Sequence, residues 1–293
     1  VNIVLTVMEI VAPVFLLAAV GFAWVRLGFE YRVQFVTRLA MTLGVPCLVF
    51  TALMKTEIDP AALTTLSLAA VVAYAGVTVL CLLVVLIGRL NRRTYLAPII
   101  FGNTGNMGLP LALFAFGEEG LGYAVVVFAV MAIYSFTIGV WLVSGGGSPL
   151  KVVKEPLVGA TLLGGVFLWQ GWQTPVFLTN TLELIGQMAI PLMLITLGVA
   201  IARLHPSHLA LSFVLSLVKV VICIATAWGV GLWFQLDPVP FAVLVLQVST
   251  PVAVTSYLLA EKYGADAEAV AGLVVVSTLI SVVSLPLALA FLI

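Results

Sequence analysis

Two stretches of this chain place polar side chains inside long apolar runs. "GNTGNMGLP", residues 102–110, brings Asn103, Thr104 and Asn106 together with Gly105, Gly108 and Pro110. "LQVSTPVAVTSY", residues 246–257, supplies Gln247, Ser249, Thr250 and Pro251. Amides and hydroxyls at these positions can bond a carboxylate, or the carbonyls that a broken helix leaves exposed. Neither stretch holds an Asp, Glu, His or Cys, so neither predicts a metal site, and no cofactor is expected.

The helices that carry these residues should be interrupted. Proline costs about 3 kcal/mol in a soluble helix interior and drives the preceding residue toward extended backbone. Gly102, Gly105 and Gly108 lower the helical preference further. The expected arrangement unwinds each helix at mid-membrane and starts its second half at Pro110 or Pro251, with Thr250 capping the latter. Two such starts, each carrying about half a positive charge, would converge on one centre. They would make an anion site without any charged side chain.

The surrounding chain is membrane sequence. Of 293 residues, 63% are hydrophobic and 8% charged, against about 25% charged in average soluble domains. Runs of roughly 20 apolar residues, enough to cross a bilayer, fill most of it. Ten helical spans are predicted, at 3–26, 33–54, 60–88, 94–116, 120–143, 156–172, 177–202, 208–234, 239–260 and 267–292. Backbone groups in lipid must bond internally, so the fold class is an all-α polytopic membrane protein. Val4 to Val25 is too long for a signal-peptide core and is kept as a span. Cys47, Cys81 and Cys223 lie far apart in apolar runs and read as packing residues. A formal net charge of zero gives no indication of nucleic-acid binding.

Basic residues gather on the odd-numbered connections: Arg26, Arg32 and Arg38, then Arg89, Arg92 and Arg93, then Lys151 and Lys154, then Arg203. The even-numbered connections hold Lys55 against Glu57, Asp59, Glu118, Glu119 and Asp237. The expected topology is multi-pass in the inner (plasma) membrane of the cell, with both termini extracytoplasmic. "APVFLLAAVG" (12–21) rhymes with "EPLVGATLLG" (155–164), while Pro46 and Pro191 stand 145 residues apart and Pro110 and Pro251 stand 141 apart. These offsets predict a five-helix repeat over 1–143, a cytoplasmic linker "SGGGSPLKVVKE" over 144–155, and a second repeat over 156–293. Five is odd, so the copies are inverted and helices four and nine cross. Inverted repeats of this kind build many secondary transporters, with the binding site at the repeat interface.

Three ionisable residues stand apart. Lys219 sits at mid-depth of span eight, where insertion costs at least ~2.5 kcal/mol. It holds the place of a coupling cation, adds attraction for an anion, or snorkels along a cavity. Glu9 and Glu183 lie about two turns from the outer face, as proton sites or as partners in packing salt bridges. His205 and His208 fall in a cytoplasmic loop and are expected to be solvated.

"GNTGNMGLPLALFAFGEEGLGYAV" resembles the fourth-helix signature of the auxin efflux carrier family, a branch of the superfamily that includes the bile acid sodium symporters. "IPLMLITLGVAIARL" and "STPVAVTSYLLAEKYGADAEAVAGLVVVSTLISVVSLP" resemble its seventh and its ninth-to-tenth helices. The similarity covers essentially the whole chain, and the short link between its halves looks like a compact prokaryotic member. The resemblance implies a scaffold of helices one, two, six and seven, and a mobile domain of helices three to five and eight to ten. It also implies a homodimer through the scaffold, and organic anions as cargo: auxins in plants, dicarboxylates such as malate or malonate in bacteria. The crossing positions match at Asn103, Pro110 and Pro251. In the bile acid branch an acidic residue of helix nine helps bind sodium; here that helix offers Gln247 and no acid.

The expected function is secondary transport of small organic anions by elevator-type alternating access, in contact with membrane lipid. A sodium-coupled anion symporter is the rival reading. An enzyme is not expected: no HExxH, no GxSxG and no intramembrane histidine appears.

Overall fold

A computed structural model describes residues 3–55, 59–145 and 156–293. Glu57 and most of the expected linker, with Lys151 and Lys154, lie outside the described residues. Every regular element among those described is a helix, as the composition requires of a chain surrounded by lipid. In chain order these are α1 (Ile3–Arg26), α2 (Val33–Leu39), α3 (Val45–Lys55), α4 (Pro60–Ile87), α5 (Arg92–Ile100), α6 (Leu109–Tyr134) and α7 (Val140–Ser144). There follow α8 (Pro156–Gln170), α9 (Val176–Gln187), α10 (Ala189–Arg203), α11 (Leu209–Trp233), α12 (Pro238–Val248), α13 (Val254–Tyr263) and α14 (Ala267–Leu292).

Seven helical stretches among the described residues are long and apolar enough to cross a membrane. Expected spans one, two, three, seven, eight and ten each correspond to one of them, and Thr104–Ser144 joins the second half of span four to span five. The ten-span expectation therefore exceeds this count. Spans four and nine are each split into two short helices, and α8, standing for span six, has only 15 residues. Within Thr104–Ser144 the chain doubles back at Gly117, whose φ of 64° and ψ of −155° leave the helical region.

Wide π turns join α2 to α3 at Ala40–Gly44 and lead into α6 at Thr104–Gly108. Each ends two residues before a proline, Pro46 or Pro110. A proline ring collides with the carbonyl four residues back, and the wider turn displaces that carbonyl. Leu109 accordingly keeps helical angles, φ −60° and ψ −50°, although proline follows it.

Helix α1 packs along α10, and α3 packs along α8 and α9. A second group forms around α4, α11, α12 and α14, with α6 against α4 and α12. Outward-facing side chains such as Leu16, Trp169 and Phe291 are exposed in the isolated chain, as lipid-facing positions must be.

Arg93 fastens the second group at one end. Its Nε donates to Val143 O at 3.0 Å and its Nη2 to Tyr263 O at 2.9 Å. It thereby holds the carbonyl ends of α7 and α13, where a cation also opposes the helix dipole. Arg93→Ala is expected to cost about 1 kcal/mol, since hydrogen bonds from an exposed charge are partly screened. A melting curve in detergent reads this directly, and an unchanged midpoint would show the clamp to be idle.

Candidate functional site

The two polar stretches meet. Helix α5 ends at Ile100 and α12 ends at Val248, and the non-helical segments beyond them lie side by side at Gly102 and Val252. Gly102 and Val252 form an antiparallel bridge, in which Asn103 N donates to Pro251 O at 2.7 Å and Ala253 N donates to Phe101 O at 3.4 Å. A helix break in lipid must find partners for its freed backbone groups, and here each break supplies them to the other.

The approach is close enough to fix residue type. A methyl group on Gly102 would overlap Thr250 Oγ1 and lie 3.0 Å from Thr250 O, and one on Gly108 would overlap Gln247 Oε1. The glycines of the opening motif therefore serve contact as well as helix breaking.

The second halves do not begin at their prolines. One begins with the π turn at Thr104, six residues before Pro110, because that turn absorbs the proline. The other begins at Val254, three residues after Pro251, whose lack of an N–H suits an extended segment. Thr250 does not cap it. Ala253 occupies the N-cap position, no side chain caps either start, and Thr250 Oγ1 donates backward to Gln247 O at 2.8 Å. Ser249 Oγ likewise donates to Leu246 O at 3.2 Å. Both hydroxyls satisfy carbonyls at the end of α12, which removes them as free donors to a ligand.

Three polar atoms at this crossing are buried without partners: Asn103 Nδ2, Thr104 Oγ1 and Gln247 Oε1. Asn103 is 5% exposed, and Thr104 and Gln247 are wholly buried. Gln247 Nε2 reaches Ala124 O at 3.5 Å. Asn106 is half-buried on the π turn, which packs against α10. Gly105, on the same turn, faces the ring of Phe128.

The remaining candidates lie elsewhere. Glu9 is an exposed residue of α1. Glu183 on α9 forms an ion pair with Lys55 at the end of α3. That pair lines a cavity of about 1030 Å³ between α3, α9 and α10 on one side and the α6 segment around Leu113 and Phe114 on the other. Asp59, Glu118 and Glu119 also line it, so acids outnumber its single lysine. Leu113 stands two helical turns, about 10 Å, beyond Asn106. Lys219 on α11 is buried beside Ile99 and Cys223.

Sequence reasoning missed several participants. Phe101, Val252 and Ala253 act through main-chain atoms, which no side-chain motif announces. Ser277 Oγ of α14 accepts from Val252 N at 3.0 Å, and only the fold brings it there. Among the described residues no group of three or more His, Cys, Asp or Glu could hold a metal ion, and the crossing has no acid of its own.

A helical chain with seven membrane-length apolar stretches and a polar, backbone-paired break buried within it is a multi-pass membrane protein. The sequence pattern of the family described as "Membrane transport protein" matches residues 6–155 and 141–289. The chain belongs to this family of membrane transporters, the auxin efflux carriers that its sequence resembles. It is 28% identical to an uncharacterized transporter of Methanothermobacter thermautotrophicus, over 95% of this chain and 96% of the relative. An uncharacterized transporter of Methanocaldococcus jannaschii is 26% identical over 64% of each chain. A protein of Rhizobium meliloti named "Putative malonate transporter" is 25% identical over 62% of this chain and 61% of its own.

Proposed function

We propose that the protein is a secondary transporter of small carboxylates, held at the crossing of the two broken helices. One observation carries this reading: Asn103 Nδ2 and Thr104 Oγ1 are buried without partners beside two uncapped helix starts. An unmet buried donor costs about 1–3 kcal/mol, and an anion bound there would satisfy it. Helix starts bring unpaired amides and positive dipole ends to the same place. The name of the Rhizobium relative suggests malonate as the first acid to try.

The packing fits two inverted five-helix repeats over 1–143 and 156–293. In such a pair helix one corresponds to six and two to seven, so contact of one with seven requires contact of six with two. The reciprocal pairs α1 with α10 and α3 with α8 meet that requirement. The cavity lies along the seam between the α3, α9 and α10 group and α6, where an elevator-type movement would carry the crossing past its scaffold. Positive-inside asymmetry supports an arrangement with this mouth outside the cell, together with both termini.

Uptake of labelled malonate and related acids into proteoliposomes tests the reading, and an absence of saturable uptake across mono- and dicarboxylates would overturn it. The acidic mouth makes a further prediction. Glu118→Gln with Glu119→Gln should raise the apparent affinity for a dianion a few-fold at low ionic strength, by reducing repulsion along the approach. The gain should vanish near 0.5 M salt, where screening acts within a few ångströms. A gain that survives high salt would mean these carboxylates act by contact.

A further inference from the structure

Lys219 is buried to 2% exposure and forms no ion pair; those found among the described residues are Arg32–Glu30 and Lys55–Glu183. Its Nζ donates to Ile99 O at 3.4 Å and to Cys223 Sγ at 3.7 Å. Ile99 O owes its availability to the break in the helix. In an unbroken helix Asn103 N would serve it, but that amide is given to Pro251 O. The carbonyl end of α5 carries about half a negative charge. Cys81 Sγ reaches the same oxygen at 3.7 Å, so a thiol and the ammonium take the place of the lost amide. The corresponding end of α12 is treated differently, since Ser249 and Thr250 cover its carbonyls with neutral hydroxyls.

We propose that Lys219 is the built-in counter-cation of the crossing. Its ammonium occupies the carbonyl-facing position that a bound monovalent cation would otherwise take, and carboxylate binding needs no sodium. The inference rests on the carboxylate reading of the crossing. An ammonium with three donors and only two long contacts keeps positive charge available to the site. Carbonyl ends of broken helices are where transporters hold sodium, and here the ammonium stands at that end beside thiols, which are poor ligands for a hard cation.

The test is thermal stabilisation of the detergent-purified protein by malonate, titrated in sodium chloride and in choline chloride. The malonate midpoint is expected to agree within twofold between the two salts. Lys219→Met should weaken malonate at least tenfold, and Lys219→Arg should recover part of that loss. Stabilisation that requires sodium, or a Lys219→Met protein with an unchanged midpoint, overturns the assignment. If Lys219→Met does not fold, the wild-type comparison of the two salts still decides. A wild type that neither malonate nor other small acids stabilise in either salt overturns the carboxylate site itself, a result distinct from sodium dependence.

Discussion

Gly102→Ala is expected to lower carboxylate uptake more than a hundredfold, and adding Thr250→Ala is expected to restore part of it. The added methyl would overlap Thr250 Oγ1 and crowd Thr250 O at 3.0 Å. The hydroxyl is tied to Gln247 O and Thr250 is wholly buried, so the side chain has nowhere to turn. Relief must come from separation of the two extended segments. That loses the hydrogen bonds between Asn103 N and Pro251 O and between Ala253 N and Phe101 O. Overpacking costs about 1–3 kcal/mol, and each lost backbone bond adds about 1 kcal/mol. Removing the Thr250 hydroxyl clears the overlap but leaves Gln247 O with the longer Thr250 N–H contact at 3.4 Å in place of the hydroxyl at 2.8 Å, so rescue is partial. A double-mutant cycle on melting temperature and uptake reads the coupling. Strictly additive losses would mean that the two residues do not press on one another.

Asn103→Ala should move binding and stability in opposite directions. Asn103 Nδ2 is buried and finds no hydrogen-bond partner among the described residues of the chain. Its removal relieves an unmet donor, so the ligand-free melting point should hold or rise. A hydrogen bond to a charged ligand contributes about 1.5–3 kcal/mol. Malonate binding should therefore weaken about ten- to a hundredfold, as should that of Thr104→Val for the same reason. Thr250→Ala is a different case. Its hydroxyl already serves Gln247 O, so it should lose stability more than affinity. If Asn103→Ala lowered the melting point while malonate affinity stayed constant, Asn103 would be a structural residue and the site would lie elsewhere.

The interruptions themselves were legible, because glycine, proline and asparagine clustered in an apolar run all work against a continuous helix. Their positions were less so. Pro110 suggested a break at itself, yet the chain unwinds at Phe101–Asn103 and passes Pro110 as helix. A π turn is a property of the backbone register, and no residue in "TGNMG" states it. Thr250 had the right type for an N-cap and serves instead at the end of the preceding helix, four residues before the actual start at Val254. Glu183 was legible as half of a salt bridge, but Lys55 as its partner was not, because 128 positions separate them. Lys219 was singled out by its cost alone; only the fold shows the orphaned carbonyl of Ile99 that it faces.

The Gly102–Val252 bridge is made of main-chain atoms, so it reads no side-chain identity beyond the glycine that admits it. On the proposed reading, the frame that would present a cargo is thereby uncoupled from the groups that would recognise one. If Asn103, Thr104 and Asn106 hold the acid as proposed, they could be exchanged to suit a different one while the frame stays in register. Replacing these three side chains should therefore redirect selectivity without rebuilding the protein.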